Sequence, residues 1–201
     1  MRQTKVVRSL GRNLGLLAVG CLIAMLPTRF AAAQDAPTAD AMISALSGLE
    51  TPYEVETPAL RQQAAERIKS RADLNPLRRP LLAPQLNKLP HVNLDIQFNP
   101  DSPIIRPQSY RTVARLADVL TSPALSSSTF LIIGRIEANG KRDINLTLSH
   151  RRAESIRDAL VMTYKVSAKR LHAVGLGEEQ LVDADHPKAA VNLQSSVVTI
   201  R

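Results

Sequence analysis

The chain has 201 residues, enough for one ordinary domain with additional segments but not for two large ones. Hydrophobic residues make up 44% and charged residues 22%, a globular balance, but 3% aromatics and 13 unevenly spread prolines predict a modest core and a long non-globular stretch. The formal net charge of +8 invites a nucleic-acid reading, yet five of the 26 basic residues and no acid fall within residues 1–33, leaving 21 basic residues against 18 acidic ones, a mild +3. No aromatic interleaving or recognition-helix pattern accompanies that charge, so nucleic acid is set aside as a partner. Attraction to an anionic wall polymer or membrane surface stays open.

Residues 1–33 read as a secretory signal peptide. Arg2, Lys5, Arg8 and Arg12 form a cationic start, an apolar run follows from Leu14 to Leu26, and Ala31, Ala32 and Ala33 supply the small residues a signal peptidase needs, with cleavage after Ala33. The apolar run falls short of the ~20 residues that span a bilayer, so no transmembrane span is expected in the mature chain. Cys21, the single cysteine, raises lipid attachment. Ala18 stands where a leucine is usual, and the apolar run continues through Leu22 to Leu26 instead of opening a polar tether.

Residues 34–89 read as a partly helical, proline-rich linker. Asp40–Leu49 carries Met42, Ile43, Leu46 and Leu49 on one side; Thr57-Pro58 opens a helix with a thin stripe of Leu60, Ala64 and Ile68. Neither stripe is wide enough to demand a core. Prolines 76, 80, 84 and 90 forbid continuous helix or central strand.

From residue 90 to 201 strand and helix signals alternate. Val92, Leu94 and Ile96 alternate with polar residues, and Phe98 closes a half-buried strand before the turn Asn99–Ser102. Pro107 opens a helix that carries Tyr110, Val113, Leu116, Ala117 and Leu120 and stops at Ser122-Pro123. Thr129–Glu137 is apolar on both faces, which marks a strand covered on two sides. Asn145–Tyr164 is the longest helix, Leu171–Gly175 a third strand and Val197–Thr199 a fourth. The order predicts an α+β fold, a β-α-β-α-β-β sandwich with helices packed on a mixed sheet.

Arg152 is the informative residue of the long helix. It lies four residues after Leu148 and four before Ile156, on the apolar stripe, so that something must compensate its charge. Asn145 is about two turns earlier at nearly the same angle, near the helix N-terminus, whose free N–H groups suit a carboxylate. Glu137, at the end of the preceding strand, approaches the same place. An acid beside a guanidinium makes a receptor for a zwitterion: the acid accepts an ammonium, and Arg152 takes a carboxylate in a forked pair. The same two residues also fit a structural ion pair joining strand to helix.

The run Gly134-Arg135-Ile136-Glu137-Ala138-Asn139-Gly140, followed by Asn145-Leu146-Thr147-Leu148-Ser149-His150-Arg151-Arg152-Ala153, resembles the OmpA-like family's G-H-T-D-x-x-G and N-x-x-L-S-x-x-R-A. Phe98 with Ser102, and Arg170-Leu171 through Gly175-Leu176-Gly177-Glu178, add further matches, so the resemblance spans about 110 residues. It implies an OmpA-like domain over residues 90–201 that binds the peptide stem of peptidoglycan, with diaminopimelate held as a zwitterion. By position Glu137 stands for the family's aspartate, Arg152 for its arginine, Asn145 for its asparagine, and Leu148 for the leucine of the second motif. The family's histidine and threonine are Arg135 and Ile136 here, and Asn192-Leu193-Gln194 replaces its N-R-R ending. Arg135 is the candidate to replace the lost basic contact.

These features imply an exported, noncatalytic protein of the periplasm or outer-membrane side of the envelope. It would grip peptidoglycan while residues 34–89 engage the outer membrane or an envelope protein. The alternative is a structural or protein-interaction module that keeps the fold without the ligand. His91, His150, His172 and His186 lack metal-ligand spacing, and no nucleophile elbow or phosphate-binding loop is present, so neither enzyme nor cofactor is expected.

Overall fold

The computed structural model describes residues 37–71, 74, 75, 77 and 79–201, all within one unit of the chain. The expected signal peptide over residues 1–33, Cys21 and Pro76 lie outside the described residues. Two helices come first, α1 (Ala39–Leu46) and α2 (Thr57–Lys69). There follow β1 (His91–Leu94), α3 (Tyr110–Leu120), β2 (Phe130–Arg135), α4 (Arg142–Asp158, prolonged by one wider turn to Thr163), β3 (Leu171–Gly177) and β4 (Ser195–Thr199). This is the α+β sequence of elements that periodicity indicated.

The sheet runs β1-β4-β2-β3, with β4 antiparallel to both neighbours and β2 parallel to β3. Its strands alternate between two cores. Val92, Leu94, Phe130, Ile132, Leu171 and Val197 face Met42 and Leu46 of α1, Val113, Leu116 and Leu120 of α3, and Ala153 and Ile156 of α4. The other face presents Leu131, Ile133, Val174, Leu176, Val198 and Ile200 to Ala64 and Ile68 of α2 and to Leu86 of a short turn at Pro84–Lys88.

Described residues of the span expected as a linker, Met42, Leu46, Ala64, Ile68 and Leu86 among them, are therefore packed on the sandwich. Tyr53 N–H donates to the Ile200 carbonyl at 2.8 Å and Leu82 N–H to the Glu179 carbonyl at 3.1 Å. The Gln180 side-chain amide takes both polar groups of Ala83, accepting from its N–H at 2.8 Å and donating to its carbonyl at 3.0 Å. The thin stripe of α2 suffices because the part of the sheet face it meets is apolar, Leu131, Ile133, Val174 and Val198 among its residues, so that few helix residues are needed to cover it. The doubly apolar β2 called for that layer. No helix among the described residues is long and apolar enough to cross a membrane.

A buried charge cluster ties the layer down. Glu179, with no side-chain exposure, receives a forked pair from Arg142 of α4, Nε to Oε1 at 2.8 Å and a terminal nitrogen to Oε2 at 2.9 Å. Arg79 lies 3.4 Å from the same Oε1, and Arg67 of α2 lies 3.9 Å from Oε2. Arg79 also pairs with Glu178 at 3.0 Å.

Backbone contact fixes α4 on the sheet. A Cβ at Gly134 would lie 2.0 Å from the Ser149 carbonyl oxygen, and one at Gly175 would lie 1.9 Å from the His150 nitrogen. The helix accordingly turns Leu146, Ser149, Ala153 and Ile156 inward. Ser149 Oγ is doubly used there, accepting from Gly177 N–H and donating to the Leu146 carbonyl, each at 2.9 Å.

Glu179→Gln removes the buried carboxylate that Arg142, Arg79 and Arg67 share and is expected to lower stability by about 3–5 kcal/mol, read as a shift of the urea midpoint at unchanged slope. A chain beginning at residue 90 would bare Leu131, Ile133 and Val198. It is expected to bind a hydrophobic dye and to lose cooperative unfolding.

Candidate peptide-binding groove

A groove of about 760 Å³ lies between the N-terminal half of α4, the end of β2 and the turn after Phe98. Glu137, Asn145, Leu148 and Arg152 all line it, so four of the five residues singled out from the sequence come together. The expected stripe of α4 is rotated. Leu148 and Arg152 stand one step round from the residues that meet the sheet, because at the close approach to Gly134 and Gly175 the helix presents the small Ser149 and Ala153. Arg152 thus escapes full burial and borders the groove.

Its guanidinium is held in place from below. Nε donates to the Ser102 carbonyl at 3.1 Å, and the guanidinium carbon sits 4.9 Å from the centroid of the Phe98 ring. Phe98 is positioned by its antiparallel bridge to Ile105, which closes the Asn99–Ser102 turn. Partial burial lowers the Arg152 pKa from its ordinary value, and nearby Asp101 opposes that shift. Among the described residues Arg152 makes no ion pair, so the structural Glu137–Arg152 bridge is not formed. Glu137 is half-buried at the same groove.

Asn145 is almost wholly buried. Its amide donates to Asn139 Oδ1 at 2.8 Å and to Glu178 Oε2 at 3.0 Å, so both hydrogens point at acceptors and the amide orientation is dictated. Asn139 Oδ1 also accepts from Lys141 N–H at 2.9 Å. The helix begins at Arg142, three residues before the expected start, which places Asn145 inside the first turn and not ahead of it.

Arg135 is not in the groove. Strand alternation puts it with Leu131 and Ile133 on the opposite face, 4% exposed, where Nε donates to the Gln180 carbonyl at 2.6 Å and a terminal nitrogen donates to Ser196 Oγ. Burial lowers its pKa to about 10. It cannot replace a basic ligand contact.

Groove residues that the sequence reading passed over are Asp101, Lys141, Asp143, Ile144, Arg151 and Leu193. Ile144 is 61% exposed and Leu193 45%, which gives the charged groove an apolar rim. Asp101 and Leu193 reach it from separate loops, which no periodicity signals. Arg151, adjacent to Arg152, was within reach of a helical-angle argument. Among the described residues no group of three or more His, Cys, Asp or Glu is placed to hold a metal ion.

Away from the groove, Gly175 N–H donates to His150 Nδ1 at 3.3 Å, while Nε2 lies 3.3 Å from Glu154. Burial, then Arg61 of α2, lowers the His150 pKa, with Glu154 opposing. The folded chain therefore binds fewer protons than the unfolded one near the ordinary histidine value of about 6.5. This contribution is complete above that value and is lost as pH falls through the folded pKa. Melting temperature is expected to drop across this window in the wild type, and to drop less in His150→Gln, followed by circular dichroism from pH 8 to 4.5.

Residues 97–193 match the model of the OmpA family. Outer membrane porin F of Pseudomonas aeruginosa is 35% identical over 106 residues, which cover 53% of this chain and 29% of that protein. The porin F of Pseudomonas fluorescens is 35% identical over 104 residues, covering 50% and 31%. The chain thus spans less than a third of the length of these relatives. Similar solved structures include the peptidoglycan-associated lipoprotein from Burkholderia pseudomallei, at 27% identity, TM-score 0.42, and 52% and 86% of the two chains. The cell wall anchor of the T6SS from Pseudomonas aeruginosa aligns at 22% identity and TM-score 0.45, covering 73% of this chain and 100% of that one.

Proposed function

We propose that this chain, whose residues 97–193 belong to the OmpA family, is a noncatalytic envelope protein that grips the peptide stem of peptidoglycan through the groove beside α4. The observation that carries this reading is an acid, Glu137, and a guanidinium, Arg152, that share one groove without pairing with each other. Left unpaired, each keeps its charge available. The zwitterionic end of a diaminopimelate side chain supplies the complement, its ammonium to Glu137 and its carboxylate to Arg152. Phe98 and the Ser102 carbonyl hold the guanidinium before ligand arrives, so little side-chain entropy is lost on binding.

Charge balance across the groove supports the same ligand class. Lys141, Arg151 and Arg152 face Asp101, Glu137 and Asp143, which suits a zwitterion better than a simple anion. Recognition of this kind needs no nucleophile or general base, and the OmpA-family domain is a noncatalytic module. Tethering of the envelope follows if residues ahead of the domain engage a second component, and an exported location goes with the leader-like residues 1–33.

Purified protein is expected to co-sediment with isolated peptidoglycan. Arg152→Ala is expected to weaken that binding at least about tenfold, since it removes a charge-assisted pair, while leaving the melting temperature nearly unchanged. Arg152→Lys keeps the charge but not the fork and falls between. Wild-type protein that stays in the supernatant sinks the reading and leaves a domain that has kept its fold without the ligand.

A further inference from the structure

We infer that Glu178 is a positioning residue for the groove and that Arg79, from the layer preceding the sandwich, sets Glu178, so that docking of this layer and ligand affinity are coupled. The inference rests on the reading of the groove as a ligand site and adds how that site is held. The two oxygens of the Glu178 carboxylate divide their work: Oε1 takes a terminal nitrogen of Arg79 at 3.0 Å, and Oε2 takes the Asn145 amide at 3.0 Å. The same Arg79 nitrogen donates to the Glu178 backbone carbonyl at 3.2 Å, which fixes the residue at both ends. From Asn145 the path continues to Asn139 Oδ1 and the Lys141 N–H, at the lip of the groove where α4 begins.

Asn145 lies between two acceptors, so its NH2 is turned to the interior and its own oxygen is the remaining polar atom of a groove-lining side chain. That oxygen accepts no hydrogen bond among the described residues. It joins Glu137 as an acceptor for the ligand's ammonium. Loss of the Glu178 carboxylate removes one of the two acceptors that enforce this orientation. Loss of Arg79 leaves Glu178 buried without its cation and free to turn away from Asn145. Residues 99 and 100 positions apart in the chain, Arg79 with Glu178 and Glu179, thereby bear on a groove that neither Arg79 nor Glu178 lines.

The test uses the full-length protein, Glu178→Gln, Arg79→Ala and Arg79→Lys, with peptidoglycan sedimentation, melting temperature, and the side-chain amide signals of Asn145 by NMR without ligand. Arg79→Ala and Glu178→Gln are expected to move the Asn145 amide signals and speed their hydrogen exchange. Both are expected to weaken peptidoglycan binding by about tenfold, the scale of a lost hydrogen bond to a charged group, measured well below their melting temperatures. Arg79→Lys is expected to restore part of both. A purely structural role would lower melting temperature and leave the Asn145 signals and the affinity as in wild type, which overturns the inference. If wild-type protein does not bind peptidoglycan, the ligand reading falls. The Asn145 signals then decide the bridge alone: moved signals support it, unmoved signals refute it.

Discussion

Two adjacent buried carboxylates, Glu178 and Glu179, and the arginines that converge on them hold together parts of the chain that the sheet alone does not connect. Arg67 comes from α2, Arg79 from the proline-rich stretch and Arg142 from the start of α4. A cluster of this kind adds little net stability, because withdrawing charges from water offsets much of their attraction. Its effect lies in specificity. Any displaced arrangement of the layer, the helix start or the loop after β3 leaves a charge buried without its partner, so the three are fixed in a single register.

The groove inherits that register. Its back wall is α4, whose height above the sheet is set by backbone meeting backbone at Gly134 and Gly175, with no flexible side chain between them to adjust. Its floor is braced by Asn145, and its far side is the Phe98 turn that supports Arg152. Back wall and floor come from α4 and the far side from the Phe98 turn, and each is anchored in one of the two cores or in the charge cluster. The groups that line the groove are thus held by parts of the fold that do not themselves line it.

Much of this was legible in the sequence where one element carries its own signal. The double apolar character of β2, the proline start and stop of α3, and the spacing that puts Glu137, Asn145, Leu148 and Arg152 in one groove all follow from local pattern. The buried stripe of α4 was misread because it is made of Leu146, Ser149, Ala153 and Ile156, and a count of large apolar residues finds Leu148 instead. Arg135 was misassigned because its fate depends on the second sheet face, which the linker reading left uncovered. The covering layer was implied by β2 but could not be located, since the stripe of α2 is thin and its docking depends on arginines whose partners lie about a hundred residues away. Long-range charge pairing has no period to read.

The β3 edge of the sheet carries a consequence of its own. This outer strand would ordinarily offer a row of unmet amides and carbonyls, but Gly175 and Gly177 donate to His150 and Ser149, and the Leu171 carbonyl accepts from Arg157 at 2.9 Å. The opposite edge, β1, is four residues long. With three backbone groups of one border met by helix side chains and the other border only four residues long, both edges offer little to an incoming strand. Protein–protein association through these borders is thereby tilted toward side-chain contact and away from β-strand addition.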